Sequence, residues 1–176
     1  ALAVYNGKFN TITITDVDML AGTGQYPLFW LFPEDSTLAM TRVTVTATTS
    51  YVMFQNLKRC TVTIADSSFT GSTLGFLLFG PRSSSFTVAS STFVGQSGAA
   101  FKTHWTEHAT LAFTSCAMTS PGPQVFLVST RAFHSTITMV GGTITGTGGS
   151  TNGFEVTTYS TSTQYSLTDV TISGVN

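Results

Sequence analysis

Two imidazoles and a carboxylate stand within five residues at His104-Trp105-Thr106-Glu107-His108, and His134 adds a third ring further along the chain. A histidine near a glutamate can pass a proton to and from a reacting group, and a guanidinium can hold an acidic sugar through paired N–H donors. Arg82 and Arg131 supply the guanidiniums and Trp105 an aromatic face. The chemistry such a set could do is binding or acid/base cleavage of a polysaccharide. Its catalytic candidates are His104, Glu107, His108 and His134, and its ligand-binding candidates are Arg82, Trp105 and Arg131. The same five residues spell H-x-x-E-H, a zinc signature whose ligands must share one face of a helix. Here the segment lies between two strand repeats and is too short for a stable helix, so neither a metal nor a cofactor is expected.

The elements that must position these residues are repetitive. An eight-residue phrase returns seven times, beginning at Ile12, Leu38, Val62, Phe86, Leu111, Ile137 and Tyr165, at intervals of 26, 24, 24, 25, 26 and 28 residues. Self-similarity at such a period marks a solenoid, in which each repeat buries its apolar face against its neighbours. The positions two residues on (Ile14, Met40, Ile64, Val88, Phe113, Met139, Leu167) and seven on (Met19, Val45, Phe69, Phe93, Met118, Ile144, Ile172) are apolar as well. Alternation followed by a change of phase predicts a strand, a turn and a second strand. Nine residues after each start a small residue marks the next turn, where glycine can supply positive φ, and a third apolar stretch follows, such as LFWLF from Leu28 and GFLLF from Gly75. The expectation is one all-β domain over residues 1–176, a parallel solenoid of about seven three-stranded coils of 23–28 residues.

Three short strands per coil of this length resemble the right-handed parallel β-helix of the pectate-lyase-like superfamily and of phage tailspikes, over the whole chain. The resemblance is one of architecture, and it implies a right-handed winding. The left-handed hexapeptide solenoid would show an 18-residue period with a strict six-residue subperiod, which is absent. Members that cleave polysaccharides carry acidic clusters on the outer face of the first or neighbouring strands. The corresponding outward columns here, from Thr13 to Ser166 and from Thr15 to Thr168, contain no carboxylate, and no catalytic motif of the family accompanies the match.

Composition narrows the function classes. Charged residues make up 9% of the chain, the net charge is -1, and 34 Thr with 20 Ser supply most of the polar surface. Without a basic excess or a Lys/Arg run, nothing attracts nucleic acid. The longest strongly apolar run, Leu74 to Phe79, falls far short of a membrane-spanning helix. Most charges fall in ladders where acid neighbours base: Asp16, Arg42, Asp66; Lys8, Glu34, Lys58, Arg82, Glu107; and Asp35, Arg59 followed by His108 and His134. These pairs read as register and corner solvation. Cys60 and Cys116 occupy inward small-residue columns, which predicts two buried, unpaired thiols.

Both ends of the chain carry partial coils. Residues Ala1 to Tyr5 read as a third strand without its first two, and the segment from Tyr165 supplies two strands and the Gly174 turn without a third. Joining Asn176 to Ala1 of another copy places the next start 23 positions after Tyr165, close to a normal coil. Copies are therefore expected to stack head to tail through Leu2, Val4, Tyr5, Leu167, Ile172 and Gly174; equally, the chain is a segment whose partners are neighbouring coils of a longer β-helix. The leading expectation is a non-enzymatic, extracellular or surface-exposed fibre segment that presents Thr/Ser-rich faces to glycans, partners or other fibres. The alternatives are a carbohydrate-binding or polysaccharide-cleaving fragment and, from T-x-T pairs such as Thr13/Thr15 and Thr143/Thr145 on flat faces, an ice-binding solenoid.

Overall fold

The computed structural model describes residues 2–22, 26–148, 152–157 and 159–175. It is an all-β parallel solenoid with two main sheets and, among the described residues, no helix. One sheet stacks the third strands, from Leu2–Tyr5 through Leu28–Leu31, Val52–Gln55, Phe76–Phe79, Phe101–Glu107 and Gln124–Phe133 to Asn152–Thr157. The other stacks the first and second strands, which in four coils run together as one bent strand of 11 residues: Thr11–Ala21, Thr37–Ala47, Thr110–Ser120 and Thr136–Gly146. In the remaining coils the bend splits them, as in Thr61–Ala65 and Ser68–Gly71.

The pairing register follows the repeat: Ile12 opposes Leu38, Leu38 opposes Val62, Val62 opposes Phe86, and so on to Ile137 opposite Tyr165. Seven rungs in each ladder enclose about six turns of ~26 residues, one fewer than the number of repeats.

Inside, the apolar columns become continuous stacks. Phe76 lies parallel to Phe101 at 5.5 Å between ring centroids, Phe69 parallel to Phe93 at 5.3 Å, and Phe54, Phe86, Phe113 and Phe126 meet them edge to face. Such pairs add roughly 0.5–1.5 kcal/mol each beyond the area they bury. Cys60 and Cys116 are buried and unpaired as expected, and burial pushes both thiols up from their ordinary pKa. Trp30 is 1% exposed, in the core.

Corners impose a demand that the repeat alone does not reveal. Three columns of residues adopt positive φ, mostly without glycine. One holds Asn6, Phe32, Asn56, Gly80 and Trp105; a second runs from Phe9 through Asp35, Arg59, Ser83, His108 and His134 to Ser162; the third holds Asp16, Arg42, Asp66, Ser90 and Ser115, then Gly141 and Asp169. A left-handed residue turns the chain sharply while its own N–H still reaches the carbonyl of the next coil, as from Asn56 to Phe79 and from Arg59 to Arg82. Just past two of these corners, buried serines replace a missing backbone acceptor. Ser84 Oγ accepts from the Cys60 N–H at 3.0 Å and donates to the Arg82 carbonyl at 2.8 Å, and Ser91 Oγ accepts from Ser67 N–H at 3.1 Å while donating to Ala89 at 2.7 Å. The small-residue columns are therefore polar ladders as well as space savers.

The small residue that follows each second strand corrects one expectation. Of the glycines in that column only Gly174 has positive φ. At Gly71 and Gly95 the reason for glycine is space, since a Cβ would run into the backbone carbonyls of Leu74 and Gly98.

Candidate functional site

The corner between the third-strand sheet and the first strands gathers most of the candidates. Phe101–Glu107 is one continuous strand, longer than its apolar core suggests, so the H-x-x-E-H segment is extended and then turned at the corner rather than looped between repeats. Extended backbone alternates successive side chains across the sheet. His104 points outward, Trp105 breaks the alternation with φ 52°, Thr106 points inward and Glu107 outward. No group of three or more His, Cys, Asp or Glu with metal-binding geometry occurs among the described residues.

Pairing shifts at this point. His104 opposes Ser129, yet Thr106 opposes Ala132, so two residues of Gln124–Phe133 stand against Trp105 alone. A bulge of this kind re-aims the side chains beside it. Arg131 belongs to the bulge and is exposed, with no acidic partner among the described residues. Arg82, Trp105, Thr106, Glu107, Arg131 and Phe133 line one depression of about 120 Å³. The three residues singled out for ligand binding, Arg82, Trp105 and Arg131, therefore share a single groove. Trp105 is 46% exposed and rests 5.7 Å from the Phe79 ring.

The catalytic candidates do not form one constellation. His104 Nδ1 lies 2.7 Å from Ser129 Oγ on the outer face of the third-strand sheet. Burial there, with Lys102 adding to it, lowers the pKa of His104 to about 4, so it is a neutral ring near pH 7. Glu107 turns to Arg82, at 3.3 Å from Nε. His108 and His134 stack on each other at the next corner, 5.0 Å between centroids and 7° from parallel. Each candidate thus contacts a neighbouring coil, and among the described residues these candidates do not converge on one reacting atom, as acid/base cleavage requires.

Charges elsewhere pair as their ladders predict. Glu34 takes Lys8 at 2.7 Å, Lys58 at 2.8 Å and Arg59 at 2.7 Å; Arg59 also clasps Asp35, and Arg42 clasps Asp16 at 2.5 Å. Hydrogen bonds from Lys58, Lys8 and Arg59 hold the Glu34 carboxyl down to about 2. The outer Thr columns lie in register on the bent sheet, with Thr13 beside Ala39 and Thr63 beside Thr87.

The two end coils expose what the others bury. Leu2, Val4 and Ile12 are half-buried around an apolar opening, Tyr5 is exposed, and at the far end Leu167, Ile172 and Gly174 are exposed. Sequence reasoning found these residues and the groove's Arg82, Trp105 and Arg131. It did not single out Thr106, which borders the groove although its side chain faces inward and its hydroxyl is buried without a hydrogen-bond partner. Compared with known proteins, the chain matches no family model, no curated protein and no solved structure.

Proposed function

We propose that the chain is a non-enzymatic β-solenoid fibre segment of the extracellular or surface-exposed kind, wound right-handed like the pectate-lyase and tailspike β-helices it resembles, whose end coils are completed by further coils of the same type. One observation carries the reading. Columns that are fully buried in the middle lie open at both ends, beside strands that pair on one side only: Leu2–Tyr5 and Thr11–Ala21 at one end, Gln164–Thr168 and Thr171–Ser173 at the other. Unpaired parallel strands over an apolar interior template another layer. Right-handed winding follows the strong preference of parallel strand-to-strand connections. A second copy stacked head to tail supplies that layer through a heterologous contact, which repeats into a filament; adjoining coils of a longer chain would supply it equally.

Light scattering across a concentration series and electron microscopy test the copy-to-copy version. The expected result is concentration-dependent rods. Val4→Lys and Ile172→Lys should each stop growth by charging one end, while a mixture of the two variants should give dimers through their intact faces. A monodisperse monomer at every concentration would overturn it.

Carbohydrate binding is a second reading, favoured by the groove that Arg82, Trp105 and Arg131 share. An exposed aromatic face beside guanidiniums suits a sugar ring with polar or acidic substituents.

A further inference from the structure

Exposed aromatic rings gather at one corner of the solenoid, and mostly at its two ends. The corner joins the third strands to the first. Its register runs from Lys8 through Glu34, Lys58 and Arg82 to Glu107, then by strand pairing to Phe133 and Thr161. In the first two coils Tyr5, Phe32 and Phe9 are exposed there, Phe9 by 78%. In the last coil Tyr159 is 77% exposed. Between them the same columns carry polar or small residues such as Asn56, Arg59, Gly80 and Ser83. Trp105, the one large exposed apolar side chain in the middle of this corner among the described residues, rests against Phe79 of its own chain.

The register relates the two groups. Counting back two residues from Lys8 and from Thr161 puts Tyr159 in the column of Asn6 and Phe32. When the last coil of one copy meets the first coil of the next, Tyr159 lies one coil, about 4.8 Å, from Asn6. Tyr5 is then beside it, Phe9 around the turn and Phe32 one coil deeper. All four side chains stand outside the apolar interior, so joining the buried columns alone leaves them in water. Clustered apolar surface of this kind marks a contact, and here the rings cover one another.

Another corner acts in the opposite sense. Asp16 and Asp169 occupy one left-handed column at φ 55° and 54°, so their side chains leave the backbone alike. Within the chain Asp16 is clasped by Arg42, and Asp66 follows on the far side of Arg42. Stacking sets Asp169 against Asp16, with Asp18 two residues further on, and like charges directly opposite destabilise a strand pair.

We infer that the contact between copies is closed on its outside by an aromatic clasp, Tyr159 of one copy on Tyr5 and Phe9 of the next, and is opposed by the rung of Asp169 on Asp16. This rests on the copy-to-copy reading and adds to it the residues that hold the junction and the one that weakens it.

Sedimentation equilibrium of the full chain at low and high salt tests it. Tyr159→Ser should weaken association by about tenfold, and Phe9→Ser, at the opposite end, by about the same factor. Tyr159→Phe, which keeps the ring, should leave it unchanged. The melting temperature of the dilute protein should not fall in either serine variant, because both side chains already face water; this separates a junction role from a role in the fold. Wild-type association should tighten as salt screens the two carboxylates. Asp169→Lys, which sets base beside acid, should tighten association about fivefold at low salt and reverse its salt dependence. Association that both serine variants leave unchanged would overturn the clasp and leave stacking standing. Wild-type association that weakens with salt and ignores Asp169→Lys would overturn the opposing rung. No association of the wild type or of Asp169→Lys at any concentration would overturn the copy-to-copy reading and the clasp together.

Discussion

Residues of one column meet opposite fates in the middle and at the ends of the solenoid. Phe76 and Phe101, in one column of the third-strand ladder, are wholly buried, whereas Leu2 at the head of the same column is only half covered. Ile144 is wholly buried, and its partner Ile172 one coil later is 43% exposed. The sequence signal is the same in each pair, so burial here is a property of having neighbours on both sides. That is the signature of a quasi-one-dimensional protein, whose stability is a sum of coil and interface contributions.

The largest effect should come from the centre of the aromatic stack. Phe76→Ala removes a ring that touches Phe54, Phe69, Phe86, Phe93 and Phe101 and should cost about 3–5 kcal/mol in urea unfolding. Ile172→Ala in the dilute protein should cost below about 1 kcal/mol, because much of that side chain already faces water. Equal costs would break the comparison. Next come the buried serines: Ser91→Ala strands the Ser67 N–H in the interior and should cost about 1–3 kcal/mol. Thr163, in the column of Ser84, accepts from Ser135 N–H in the last coil, and Thr163→Ala, which leaves that N–H nearer to water, should cost visibly less in the same assay.

Electrostatic changes should be smaller. His104 has a folded pKa near 4 against an ordinary 6.5, so the folded state prefers the neutral ring. Its contribution is complete above pH 6.5 and is lost as pH falls toward 4, and His104→Gln should flatten a plot of melting temperature against pH in that window. Glu34 is depressed from 4.5 to about 2, so its contribution is present above pH 4.5 and is lost as pH falls toward 2. Glu34→Gln should lower the melting temperature slightly at neutral pH and low salt, and the difference should vanish at high salt.

Much of the fold was legible because a parallel solenoid writes its register into the spacing of its apolar residues. The columns beginning at Ile12 and Ile14, the inward cysteines and the third strands all lie where the phrase predicts. What the spacing hid was the corner. Positive φ at Asp35, Arg59, Trp105 and His108 has no compositional mark, because the conformation is imposed by the coils above and below rather than by local preference. The same cause explains the candidate site. Arg82 and Arg131, 49 positions apart, meet because each lies about one coil from Trp105, which the period foretells. The bulge at Trp105 was not foreseeable, since it depends on one extra residue in a neighbouring strand.

The claim that end coils are completed by further coils is tested most directly by residue-resolved amide hydrogen exchange at low and high protein concentration. Phe76–Phe79 and Ser85–Ala89 should be strongly protected at both. Leu2–Tyr5, Gln164–Thr168 and Thr171–Ser173 should exchange quickly when dilute and slow markedly when concentrated, as their free edges find partners. End strands that exchange equally fast at every concentration would contradict completion by further copies of the chain.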